Sequence, residues 1–313
     1  MTTVLKAIQA GEKQLSDANV AFGHGTANAF DEAAWLVLWK AGLPLDSSLD
    51  DPKIDADSVA NMPLAGGLIA SIATLFIARI ASRKPAAYLT QEAWLQGIPF
   101  YIDERAIVPR SLIAELLAGD TFGSFDDWLG PHTKRILDLC TGNGSLAVLA
   151  AMTYPETTVV GADISADALE VAKINIAKHS LQNRISLAAS DSWNGLKDEV
   201  NQPLVFDLIL CNPPYVNSAS MAVLPAEYQA EPALALAGGT DGMDFIRGLL
   251  QAAPAHMSEH AVMILEIGNE RAFFEAAFPD LEIVWLETSA GEDSVLLITK
   301  TALEDDFRTK IFL

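Results

Sequence analysis

The residues whose types and spacing could do chemistry gather at the end of one apolar run. In FDLILCNPPYV, Phe206 to Val216, a strand-like stretch delivers Asn212, Pro213, Pro214 and Tyr215 to a single turn. Pro213 keeps Asn212 out of the helical region, and the two prolines stiffen the turn while leaving their carbonyls free as acceptors. A planar amide or aryl amine is a poor nucleophile because its lone pair is delocalised. Its two N–H bonds can be taken by two fixed acceptors, the Asn212 side-chain carbonyl and the Pro213 main-chain carbonyl. The lone pair is then drawn toward an electrophile such as a methyl-bearing sulfonium, while Tyr215 can pack flat on the planar group. Position and fixed dipoles do most of this catalysis. No general base is required, because the alkylated nitrogen is itself strongly acidic.

A second constellation precedes it. In LDLCTGNGSLA a strand feeds a glycine turn that opens a helix. Gly142 and Gly144 permit a sharp turn and close approach to a ligand, and the helix start offers unpaired N–H groups. Asp163 follows about twenty residues on, as in dinucleotide folds, where a carboxylate can accept two ribose hydroxyls. The string Gly142-x-Gly144-x-x-Ala147 with that acid also satisfies the dinucleotide fingerprint, which keeps a nicotinamide enzyme as a rival. Asp138, inside the strand end, argues against it: a carboxylate there opposes a pyrophosphate but suits the cationic methionine moiety of S-adenosylmethionine. Asp191 and Trp193, in ASDSW, occupy positions suited to an adenine amine and its flat face.

These groups need a parallel sheet to hold them. From Arg135 the rhythm is strand, loop, helix: RILDLC, TTVVGADI, RISLAAS, FDLILC, AVMILEIG, LEIVWLE and SVLLITK read as strands. Such alternation predicts an α/β, doubly wound, mostly parallel seven-stranded sheet with an antiparallel member near the end. Ser165 is expected to cap a helix whose face is Leu169, Ala172, Ile176 and Ala177. Residues 1 to about 83 read as helical, with Gly42 and Pro44 stopping one helix and ARIASRK supplying positive charge to the last turn of another. Aromatic and β-branched residues on both sides of Gly97 predict a hairpin. The Gly/Asp-rich stretch AGDTFGSFDDWLGP leads into the sheet. The expected organisation is a helical domain over 1–85, a β-hairpin linker over 86–108 and a catalytic domain over 109–313.

The chain has 313 residues, half of them apolar, so a sizeable core is within reach. Its 20 Lys and Arg face 41 Asp and Glu, a net charge of −21. Nucleic-acid backbones are held by clustered basic side chains, so direct DNA binding is not expected, whereas basic partners are attracted. Two cysteines, Cys140 and Cys211, are too few for a disulfide scaffold and are expected to be reduced. No secretory signal is seen at the start, and the expected compartment is the cytoplasm. Ser58 to Ala78 carries no charge, and its Asn61, Pro63 and two glycines favour a buried or partner-packed helix over a membrane anchor.

The combination DLCTGNG, DIS, NPPYV and EPALALAGGTDG resembles the HemK/PrmC/PrmB protein glutamine methyltransferase family, over nearly the whole chain. FGHGT, AYLT and DERAIVPRS resemble the branch that methylates a glutamine of the third large-subunit ribosomal protein. Leu112 stands where that branch leads one to expect proline. The resemblance implies a class I methyltransferase fold with S-adenosylmethionine as cofactor. Asp138, Thr141, Gly142, Asn143, Gly144, Asp163, Asp191, Trp193 and Asn212 would line the cofactor site. Asn212, Pro213, Pro214 and Tyr215 would hold the glutamine, with Asn212, Pro213 and Tyr215 catalytic. Glu231-Pro232 and Asp241-Gly242 are expected to support the site, and His24 is a surface-recognition candidate. The alternatives are glutamine methylation of peptide chain release factors and adenine amino methylation of nucleic acid.

Overall fold

The computed structural model describes residues 1–51, 53–119 and 125–311, the last five as backbone only. The middle of AGDTFGSFDDWLGP, residues 120–124, lies outside the described residues. The chain forms two compact units: Met1–Ala93 together with Leu224–Glu231, and Trp94–Val223 together with Pro232 onward.

The first unit is helical. α1 (Val4–Asp17) begins where Thr3 accepts a hydrogen bond from the Lys6 N–H at 3.4 Å, and buries Val4, Ala7, Ile8, Gly11 and Leu15. Gly11 is small for a reason: a Cβ there would lie 2.1 Å from Cζ of Phe76. α2 (Ala29–Ala41) is capped by Asn28, which accepts from Asp31 N–H at 2.9 Å, and ends at Gly42 with φ +68°. α3 (Gly66–Ser82) and α4 (Ala86–Thr90) follow. The uncharged segment is thus helical only from Gly66, and α3 buries a narrow stripe, Ile72, Phe76 and Arg79, while Ile77 is 64% exposed. Among the described residues no helix is long and apolar enough to cross a membrane.

One expectation for this unit holds and one is corrected. Arg79 is the basic residue in the last turn of α3, as expected, and it is fully buried. Its Nε donates to Glu32 at 2.9 Å and its other nitrogens reach Glu227 at 3.4 Å and the Ala21 carbonyl at 3.1 Å. Arg83 Nε adds a second cation, 2.7 Å from Glu227. Burial raises the Glu32 pKa and the Arg79 charge opposes that rise. His24 is no surface residue either: it is 2% exposed, its ring centroid 4.3 Å from that of Tyr228. Its Nε2 lies 3.3 Å from Glu231, though neither ring nitrogen has an aligned hydrogen bond among the described residues.

The hairpin expected around Gly97 is β1 (Glu92–Leu95) and β2 (Ile98–Tyr101), its turn carried by Gln96 and Gly97, both at positive φ. After α5 (Ile113–Ala118) the second unit alternates as predicted: β3 (Arg135–Leu139), α6 (Ser145–Thr153), β4 (Thr158–Asp163), α7 (Ala166–Lys178), β5 (Ile185–Ala189), β6 (Phe206–Cys211). Short helices α8 (Ser218–Met221) and α9 (Ala226–Gln229), the latter in the first unit, precede α10 (Asp244–Ala252). β7 (Met257–Glu266), α11 (Arg271–Ala277), β8 (Val284–Thr288), β9 (Gly291–Thr299) and α12 (Lys300–Ile311) complete the chain.

The sheet order is β5-β4-β3-β6-β7-β9-β8, parallel except for β9, which runs antiparallel to both neighbours. Apolar side chains from alternate strand positions build a core on each face. The chain moves outward from β3 to β5 and returns on the other side of β3 as β6. That reversal is the topological switch point, where open α/β sheets bind ligands at the carboxyl ends of their strands. The α7 stripe is displaced from expectation. Ala168, Val171, Ala172, Asn175 and Ile176 are buried and Ala177 is exposed, because the helix packs with a polar Asn175 on its inner face.

Candidate active site

Asp138 lies in β3 opposite Gly161 of β4 and Leu210 of β6, 1% exposed. Its Oδ2 accepts from Thr141 Oγ1 at 2.5 Å and from the Ala147 N–H at 2.9 Å. Its Oδ1 is buried and has no partner among the described residues. Burial pushes the carboxyl up to about 7, against the pull of those two donors, with the Asp163 charge adding to the rise. A buried carboxylate with one oxygen left open is destabilised alone and stabilised by a cation placed against it. The open acceptor Oδ1 therefore fits the ammonium group of the expected cofactor.

The loop between strand and helix needs left-handed backbone at Cys140, Gly142 and Gly144, with φ of +63°, +54° and +78°. At Gly144 close packing adds to this, since a Cβ would meet that of Ala172 at 3.0 Å. Asp163, ending β4, accepts from Gly142 N–H at 2.9 Å and from Ser165 N–H at 2.8 Å, one on each oxygen. Two lone pairs remain for hydroxyl donors. Burial raises its pKa and the backbone donors hold it back.

Other expected cofactor residues divide. The Thr141 hydroxyl serves Asp138. Asn143 is buried, and its side chain is spent on the fold, donating to the Ile107 carbonyl and accepting from Ser145 N–H, each at 2.9 Å. Asp191 is exposed just past β5. Trp193 is held on two sides. Its indole N–H donates to the Leu249 carbonyl at 3.0 Å, its ring stacks on His256 with centroids 4.5 Å apart, and it is 6% exposed within the core.

Leu139 pairs in register with Cys211, so Asn212 emerges one strand away from the glycine loop. Among the described residues nothing engages the Asn212 side-chain amide, which is half-buried. Pro213 is buried behind it. The downstream glycines explain their spacing. A Cβ at Gly238 would sit 2.7 Å from the Tyr215 Cα, and one at Gly242 2.2 Å from the Tyr215 carbonyl oxygen. Gly242 thus packs against the turn, whereas Asp241 accepts hydrogen bonds from Met243 and Arg247, and Glu231 lies with the first unit. Cys140 and Cys211 are free thiols.

Two supports escape the sequence reading. Asn175 is fully buried; its Oδ1 accepts from Tyr101 N–H at 2.7 Å, and its Nδ2 donates to the carbonyls of Tyr101 and Asn143 at 2.9 Å. Glu266 closes β7 with its carboxylate against Ser111, Leu112 and Tyr215. The available signals were a lone asparagine on an apolar helix face and a lone acid at the end of an apolar strand.

The fold is that of a class I methyltransferase, and a family model described as "Methyltransferase small domain" matches residues 125–231. A Bordetella pertussis protein is 46% identical over 309 residues, 97% of each chain. One from Burkholderia pseudomallei is 46% identical, covering 96% of this chain and 95% of its own. A third, from Neisseria meningitidis serogroup A, is 41% identical over 97% and 95%. All three are named ribosomal protein uL3 glutamine methyltransferase. The chain belongs to that family.

Proposed function

We infer that this protein transfers a methyl group from S-adenosylmethionine to the side-chain amide nitrogen of a glutamine in ribosomal protein uL3. The observation that carries the reading is the register pair Leu139–Cys211, which sets a half-satisfied carboxylate and an unengaged amide at adjacent strand ends. Kinship of 46% across the chain supplies the substrate class.

When bound, the cofactor supplies a methyl group made electrophilic by sulfonium charge. Asp138 Oδ1 pairs the cofactor's ammonium, and Asp163 takes ribose hydroxyls on its remaining lone pairs. Asn212 Oδ1 and the Pro213 carbonyl accept the two amide N–H bonds of the target glutamine, aligning its lone pair. Tyr215 limits the amide plane. Since these acceptors are fixed by the sheet and two prolines, little reorganisation is needed during transfer. The test is incubation of labelled S-adenosylmethionine with purified uL3, release factor and DNA, followed by mass mapping. A single methylated glutamine in uL3 is expected. Faster labelling of release factor overturns the substrate, and labelling of adenine overturns the reaction.

A further inference from the structure

One buried carboxylate behind the NPPY turn has no part in the chemistry so far described. Leu265 of β7 is the register partner of Cys211, so Glu266 lies beside Asn212 at the carboxyl edge of the sheet. It is 3% exposed. Its Oε2 accepts from Ser111 Oγ at 2.5 Å and from the Leu112 N–H at 2.9 Å; its Oε1 accepts from the Tyr215 hydroxyl at 3.2 Å. Burial raises the Glu266 pKa, and these same donors lower it. Three donated hydrogen bonds offset part of the cost of burying this carboxyl.

The other end of the contact is equally constrained. Burial and the Glu266 charge push the Tyr215 phenol far above its ordinary value, so it stays a hydrogen-bond donor. Gly268, with φ +54°, leaves room for the ring: a Cβ there would lie 2.5 Å from Tyr215 Cε2. Packing limits where the ring sits, while the second side-chain torsion of tyrosine is intrinsically broad. The phenol oxygen lies on the axis of that torsion, but its O–H stays close to the ring plane, so a fixed acceptor at the far end restricts the torsion.

We propose that Glu266 is a positioning residue for methyl transfer, fixing the Tyr215 ring through its hydroxyl so that the plane meant for the target amide is set before the amide arrives. This rests on the function inferred above. Ser111 and Leu112 hold the carboxylate in turn, and so tie the segment before α5 to the catalytic turn. Leu112 has φ −68°, an angle open to proline. Proline, the residue expected there from the family resemblance, has no N–H to give. In this chain the carboxylate therefore has one more donor than that resemblance implies.

The test is a double-mutant cycle of Glu266→Gln with Tyr215→Phe, read as kcat and KM for uL3 and as cofactor affinity. Each single variant is expected to lose tenfold or more in kcat, cofactor affinity staying within about twofold, since small misplacements at a reacting centre cost up to about a hundredfold. The double variant should be no slower than the slower single one. Losses that multiply overturn the proposal, because Glu266 would then act independently of the hydroxyl. If Glu266→Gln does not fold, Ser111→Ala replaces it in the cycle with the same two outcomes deciding. Near-ultraviolet difference absorption between parent and Tyr215→Phe needs no substrate. It should show a phenol red-shifted by a carboxylate acceptor, and the band should move to the blue in Glu266→Gln. An unshifted band overturns the hold of Glu266 on Tyr215 even if uL3 proves not to be the substrate.

Discussion

Asp138, in β3, and Asn212, just past the end of the neighbouring parallel strand β6, flank the register pair Leu139–Cys211, with one side chain buried and half satisfied and the other unengaged. Adjacent strands lie about 4.8 Å apart. That spacing brings a group suited to a cation and a group suited to an amide within the span of one small cofactor, with no loop movement required to align them.

Asn212→Ala is expected to lower kcat by on the order of a hundredfold or more, the usual cost of losing a preorganised polar partner at a reacting centre. Cofactor affinity measured by calorimetry should change little. A variant that keeps its rate within severalfold of the parent removes Asn212 from the acceptor role.

Asp138 makes cofactor binding and stability depend on pH with opposite signs. Its folded value of about 7 lies above the ordinary 3.8, so the folded state holds the proton more tightly than the unfolded one. The stability this gives is complete below about pH 4 and is lost as pH rises through 7. Pairing an ammonium needs the ionised form, so affinity should rise over the same interval. Melting scans from pH 5.5 to 8, with and without S-adenosylmethionine, should show the ligand-free protein weakening and the ligand-induced gain growing. Asp138→Asn should flatten both trends; an affinity in the parent that is level from pH 6 to 8 contradicts the pairing.

Trp193→Phe should cost about 1 kcal/mol of stability through the lost bond to Leu249, with an unchanged cofactor affinity. A tenfold weaker affinity returns Trp193 to the adenine site.

The net charge of −21 should attract a basic substrate at long range. Methylation of free uL3 is expected to slow steadily between low and high salt through KM, as charges are screened beyond about 8 Å near physiological ionic strength. Salt-independent kinetics contradict this steering.

Most of what the sequence revealed rests on local chemistry. Glycines at positive φ, prolines that exclude helix and strands of apolar residues declare themselves within a few positions, and so the glycine loop, the NPPY turn and the sheet alternation were legible. The contacts of Trp193 with His256 and Leu249 were not, because an aromatic residue after a strand carries no local sign of partners more than fifty positions away. The α7 stripe was misplaced because Asn175 looked polar and therefore outward. Glu266 was hidden by distance: its partner Ser111 lies 155 positions away in the chain.

The same separation governs Arg79, whose partner Glu227 comes 148 positions later. A ribosome making this chain releases a buried-to-be cation long before one of its counter-charges exists. Until Leu224–Glu231 emerges, the first helices have only Glu32 to offset that cation, and leaving a buried charge short of its partner costs about 3–5 kcal/mol. A fragment ending at residue 93 should consequently show helical far-ultraviolet dichroism with poor cooperativity on melting, and Glu227→Gln should destabilise the full chain by a comparable amount. The part translated first is thus completed late, and it is no detachable cassette: grafting residues 1–93 onto another enzyme would leave behind the eight residues that finish its core.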